Sequence, residues 1–244
     1  MSEDTDNIQY SPIRNYDYDR FFRDVQYNGT TLNQLGRAEF VKMSDETIAD
    51  YSQGLPLINH ILVSIKDQND GFHIIQRTIV SVMQFVLITL IDDMVICKYF
   101  ILANKDYDKR FMRGKMKVIL NEGFKQLYGF GEKAHKESEW HRLEPILKYF
   151  PDEIKQQYTH LTNLLNQHSI TSTWWRDERV AETHLGAEKL YASRCEVVNE
   201  SKVLTESLKL FDTLFAVDLF LTNMHACFRN SLVDMYYQGK LKEE

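Results

Sequence analysis

Proline and glycine are scarce, with four and ten in 244 residues. A fold of many short β-strands needs such residues at its turns, so their scarcity argues against that class and for long helices. Cysteine is rarer still. Cys97, Cys195 and Cys227 are far apart, odd in number and form no CxxC pair, which excludes a disulfide framework and a cysteine zinc cluster. Positive charge is short as well. A net charge of −6 does not suit a surface that tracks a phosphate backbone throughout, although it leaves room for a local basic patch. The most apolar run, Ile79 to Ile91, contains Ser81, Gln84 and Thr89 and is closed by Asp92 and Asp93. It is shorter than the roughly 20 residues a spanning helix needs, so it reads as a buried core helix and no membrane association is expected. No Gly-rich phosphate loop, Gly-x-Ser-x-Gly elbow or HExxH pair is present, which removes the commonest nucleotide-binding, hydrolase and zinc-protease chemistries. The polar, acidic start MSEDTDNIQY predicts no signal peptide and points to a cytoplasmic protein.

What the chain does have is apolar material. A hydrophobic fraction of 43% with 12% aromatics is ample for one substantial core. Residues 1–30 carry Tyr10, Tyr16, Tyr18, Phe21, Phe22 and Tyr27 among polar residues without a helical period, and predict an irregular aromatic and polar arm. Residues 31–244 read as one helical domain. Ser44, followed by Asp45 and Glu46, looks like a helix N-cap, and Gly54-Leu-Pro56 is expected to separate that helix from one near Leu57 to Asp67. Phe72 to about Asn104 is helix-compatible throughout and apolar nearly all round in its middle, as the central helix of a domain would be. A second long helix follows Asp106 or Asp108 and stops at Gly129 and Gly131; Pro151-Asp-Glu153 opens another that ends near His168. In the last segment Leu210, Leu214, Val217, Leu221, Met224, Phe228, Leu232 and Met235 alternate spacings of three and four, which predicts a helix from about Ser201 to Gln238. The expected fold is therefore all-α: a single helical bundle with a long central helix, a long C-terminal helix and an irregular N-terminal arm.

Between two predicted helices lies Thr173-Trp-Trp-Arg-Asp-Glu-Arg-Val-Ala-Glu-Thr-His184, which concentrates two arginines, two tryptophans and a histidine. An arginine can hold a phosphate through two parallel hydrogen bonds, and a histidine that titrates near neutrality can move protons. Together they could cleave an RNA strand without a metal, with the 2′-hydroxyl as nucleophile. The segment resembles the RNase motif of the HEPN superfamily, helical bundles of defence and toxin systems in which an Arg is followed after four to six residues by His. Arg179-Val-Ala-Glu-Thr-His184 fits that spacing, and Phe111 to Phe130 resembles the preceding helix of the abortive-infection type. The Arg-polar dipeptide of that family is matched instead by Arg176-Asp177, from which His184 lies further away, while Glu182 stands where a histidine would be expected. On a regular helix Arg176 and His184 would be about 80° apart around the axis and Arg179 and His184 about 140° apart, so the first pair shares a face better. The resemblance implies catalysis by Arg176 or Arg179 with His184, RNA as substrate, a homodimer, a protein antitoxin as partner, and no cofactor or metal. It equally leaves open a helical interaction module that has kept the fold and lost the active-site spacing.

Other polar features have plainer accounts. Trp174 and Trp175 suit one ring in the core and one at an interface, with base stacking as the functional alternative. The basic run Lys105, Lys109, Arg110, Arg113, Lys115 and Lys117 suits a solvated helix face, with RNA contact through Lys109, Arg110 and Arg113 as the alternative. Glu132-Lys-Ala-His135 has a di-iron spacing but occurs once where two copies are needed. Asp92 and Asp93, at the end of an apolar run, are expected to be partly buried and to need partners. Asp218, Thr222, His225 and Arg229 form one polar stripe on the last helix, which places His225 and Arg229 as supporting residues should His184 face the same cleft.

Overall fold

A computed structural model of the chain describes residues 13–22, 29–167 and 200–237. Its helices in chain order are α1 (Asp19–Phe22), α2 (Gly29–Ser64), α3 (Gly71–Leu102), α4 (Asp106–Leu127), α5 (Glu132–Lys136), a 3₁₀ helix (His141–Tyr149), α6 (Asp152–Asn166) and α7 (Glu200–Tyr237). Among the described residues there is no strand, and the fold is all-α as the composition predicts.

Helix α3 is the axis of the bundle. Ile79, Val82, Val86 and Leu90 on it have no exposed surface, and α2, α4 and α7 pack along it. Phe72 at its start stacks on Phe228 of α7 with ring centroids 4.6 Å apart, while Cys97 near its end bonds Ser207 of α7, so the two helices run antiparallel. Helix α2 is antiparallel to α3 too: Gly54 faces Leu87, and Asp45 pairs with Lys98 one bundle layer further. Asp70 caps α3, its Oδ1 accepting the His73 N–H at 3.0 Å, and Arg77 donates to the Lys66 carbonyl at 2.8 Å to fasten the α2–α3 turn. Helix α4 approaches closely at Gly123, where a Cβ would sit 2.9 Å from Thr89 Cγ2. Trp140, fully buried, stacks on Tyr158 of α6 at 4.7 Å and donates from Nε1 to Thr162 Oγ1 at 2.9 Å, which locks the 3₁₀ helix and α6 onto α7 through Phe220.

Two local expectations are corrected. Gly54 and Pro56 do not divide α2, which continues through both to Ser64. Pro56 removes one backbone donor but the helix is held on either side of it, by Gly54 against Leu87 of α3 before it and by the buried Ile58 after it. Ser44 is not a cap; it lies buried inside α2 and its hydroxyl donates back to the Phe40 carbonyl at 2.8 Å. Helix α3 also runs past Asp92 and Asp93, so that by length and composition alone it could cross a membrane, although half of its most apolar stretch is buried inside the bundle.

The turn after α4 depends on Gly129, whose φ is +88° and where a Cβ would lie 2.4 Å from the Ala134 carbonyl carbon and the His135 nitrogen. Both the left-handed backbone and the clash with main chain oppose any side chain there. Gly129→Ala is expected to lower stability by roughly 3 kcal/mol or more. Urea unfolding against the wild type checks this; Gly131→Ala, which shares the left-handed backbone at φ +87° but where a Cβ meets nothing within 4 Å, should lose less, and equal midpoints for the two variants would refute the clash.

Candidate functional site

The residues that carry the Arg–His motif, Arg176, Arg179 and His184, and the tryptophans Trp174 and Trp175, lie outside the described residues. The basic run of α4 is within them. Lys105 and Lys115 are exposed and Lys109 and Arg110 half-buried, whereas Arg113 and Lys117 are only 5% and 7% exposed. The last two stand one turn apart, beside the buried Met116 and Leu120, so the run is a solvated face only in part.

The polar stripe of α7 is where titratable groups with altered proton affinity gather. Thr222 and Arg229 are exposed, while Asp218 and His225 are half-buried. Burial pushes the Asp218 carboxyl up to about 6. Tyr51 of α2 is raised by its own burial and by the charges of Asp218 and Asp50. The His225 imidazole is pushed below its ordinary value, first by burial and then by the cation of Arg229 one turn along. At neutral pH His225 is thus an uncharged imidazole able to accept a proton, next to an exposed guanidinium able to bind an anion. The periodicity of the last helix marked these residues; the proximity of Tyr51, 167 positions before Asp218, left no mark in the sequence.

A second cluster is closed to solvent. Ser207 donates to Asp93 Oδ1, and the Cys97 thiol donates to Ser207 Oγ at 2.9 Å, linking α3 and α7 within the apolar cluster of Phe40, Met94, Phe100 and Met116. Burial raises the Asp93 carboxyl to about 7, with the Ser207 bond acting the other way, and it raises the Cys97 thiol further from reactivity. Among the described residues, Asp93 Oδ2 and both amide atoms of buried Asn121 on α4 have no hydrogen-bond partner. Asp93 thus finds the partner its position requires, whereas Ser207 and Asn121 went unforeseen because neither interrupts a sequence pattern.

A third feature is a cavity of about 510 Å³ between the Tyr128–His135 turn and Asn166 at the end of α6. His135 Nδ1 lies 2.8 Å from the Tyr128 carbonyl and donates to it. Among the described residues no group of three His, Cys, Asp or Glu side chains is placed to hold a metal ion.

Asp93 makes folding sensitive to pH. Its carboxyl loses its proton near 3.8 in the unfolded chain and near 7 in the folded one, so between these values the folded state holds the extra proton. Rising pH therefore favours unfolding across that window, by up to about 1.4 kcal/mol per pH unit for one proton. Asp93→Asn keeps the acceptor for Ser207 and cannot ionise. Its stability advantage over the wild type is expected to be small at pH 4, to grow towards pH 7 and then to level off, as read from denaturant midpoints; a gap independent of pH would refute the assignment.

Comparison with family models, with curated proteins and with solved structures gives no match.

Proposed function

We propose that this chain is a HEPN-like helical protein that cleaves RNA in the cytoplasm without a metal, as the effector of a defence or toxin system. The observation that supports this reading best is the half-buried His225 one turn from the exposed Arg229, on the long helix that follows the Arg176–His184 segment. In this reading Arg176 or Arg179 holds the scissile phosphate with Arg229 in support. His184 or His225 takes the 2′-hydroxyl proton, O2′ attacks phosphorus, and the bond from phosphorus to the 5′-oxygen breaks as that oxygen is protonated. Two copies of the chain, an RNA substrate and a protein antitoxin complete the proposed system.

A second reading has an observation of its own. Arg113 and Lys117 are packed into the fold, which shortens any RNA track along α4 and favours a silent interaction module that binds a protein and turns nothing over. The two readings separate in one assay: purified protein with a mixed RNA pool in EDTA, beside His184→Ala and His225→Ala. The nuclease reading expects cleavage by the wild type that falls at least about a hundredfold in His184→Ala, with a smaller drop in His225→Ala. RNA left intact by the wild type would reject it in favour of the module.

A further inference from the structure

The N-terminal segment is held to the bundle in an unusual way. Residues 13–17 belong to no helix or strand, and the chain then turns into α1. The buried side-chain amide of Asn223, on α7, brackets the backbone of Arg14: its Oδ1 accepts the Arg14 N–H at 3.3 Å, and its Nδ2 donates to the Arg14 carbonyl at 2.6 Å. The two bonds reproduce what a neighbouring β-strand would offer one residue. Buried Gln157, on α6, donates from Nε2 to the same carbonyl at 3.1 Å, and its Oε1 accepts the Tyr18 hydroxyl at 2.9 Å. Asn223 Nδ2 also donates to Gln157 Oε1 at 3.2 Å, so the two amides orient each other.

These contacts read main chain more than side chain. The side chains of Arg14, Asn15 and Asp17 are exposed, and only Tyr18, with Ile13, Tyr16 and Phe21 partly covered, packs onto the core. Specificity is supplied by rings and one charge: Phe21 meets Phe215 edge-on at 5.6 Å, and His160 Nε2 lies 3.2 Å from Asp19 Oδ1. An empty groove would strand two buried amides without partners, which is costly, so the groove favours replacement of its occupant over vacancy. Recognition of backbone by fixed polar groups, with pockets for alternate side chains, is how extended peptides are bound by added-strand surfaces.

We propose that the groove between α6 and α7 is a recognition site for an extended segment of a partner protein, and that residues 13–22 occupy it in cis as a competitor. The arm defines the chemistry of the ligand: an aliphatic residue, then an aromatic residue, then a tyrosine flanked by acids, as in Ile13-Arg-Asn-Tyr-Asp-Tyr-Asp19. The exposed His160 meets the last acid, and Gln157 meets the tyrosine hydroxyl. A segment tethered this closely acts at an effective concentration on the order of millimolar, so a partner binds well only where the cis contacts are weakened or its own are better. The proposal does not depend on nuclease activity.

The test uses the full chain and a fluorescein-labelled peptide of residues 11–22, followed by anisotropy. Tyr18→Ala weakens the cis arm and leaves the groove intact, so it is expected to bind the peptide at least tenfold more tightly than the wild type does. Adding Asn223→Ala to that variant should abolish the binding. Tyr18→Phe, which removes only the hydroxyl held by Gln157 and Asn223, should show the same ranking with a smaller gain and serves where Tyr18→Ala melts without cooperativity. A folded Tyr18 variant that binds no better than wild type, or binding that survives the loss of Asn223, would make the arm a permanent part of the core and overturn the proposal.

Discussion

Helix α3 carries apolar side chains on nearly every side, and each square ångström of them left in water costs about 25 cal/mol. A helix of that kind has to be wrapped, and the rest of the bundle follows from wrapping it. Helices α2, α4 and α7 take its long sides. Gly123 lets α4 approach at a distance that a side chain would forbid, and the pairing of α2 with α3 is long enough to carry α2 through Pro56. The helices that do not reach α3 over a long stretch are held by other devices: α6 through the stacked Trp140 and Tyr158, and α1 through Phe21.

Wrapping also traps polar groups. Asp93 lies within the apolar length of α3, between Leu90 and Met94 on the buried side, so the helix that supplies the core carries a carboxyl into it. Ser207, which itself accepts from the Cys97 thiol, donates to one of its oxygens, and the other is left without a partner among the described residues. The outcome is a carboxyl that keeps its proton to about pH 7 inside the fold. At the edge of the same bundle, partial burial acts in a milder way on Asp218 and His225, where some contact with water is retained and chemistry becomes accessible. The closed cluster and the open stripe are two results of one cause, desolvation, separated by how much solvent each keeps.

The buried amides of Asn223 and Gln157 are a third consequence. An all-α bundle satisfies its backbone within each helix, so a segment without regular structure finds no ladder to join. Side-chain amides stand in for one here, which is why the arm can settle between α6 and α7 without becoming helix or strand.

Local sequence signals were enough for the all-α class and for α3, α4, α6 and α7 in their order, but not for α1, α5 or the undivided α2. Periods of three and four from Leu210 to Phe228 and the glycines after Leu127 act over a few turns, and the observed α3, α4, α6 and α7 begin and end within a few residues of what those signals predict. An acid beside an apolar run is visible in one dimension, so Asp92 and Asp93 stood out alike, but the bundle buries Asp93 and leaves Asp92 exposed. Tertiary structure alone decided that Gly54 and Pro56 would be overruled, that Arg113 and Lys117 would be packed while Lys115 stayed in water, and that Ser207, Asn223 and Gln157 would hold the polar interior together. These outcomes depend on contacts between distant positions, such as Asp93 with Ser207 at a separation of 114 residues and Arg14 with Asn223 at 209. Helix propensity is set by near neighbours and can be read along the chain, whereas the burial of a polar group is set by whatever the folded chain brings against it.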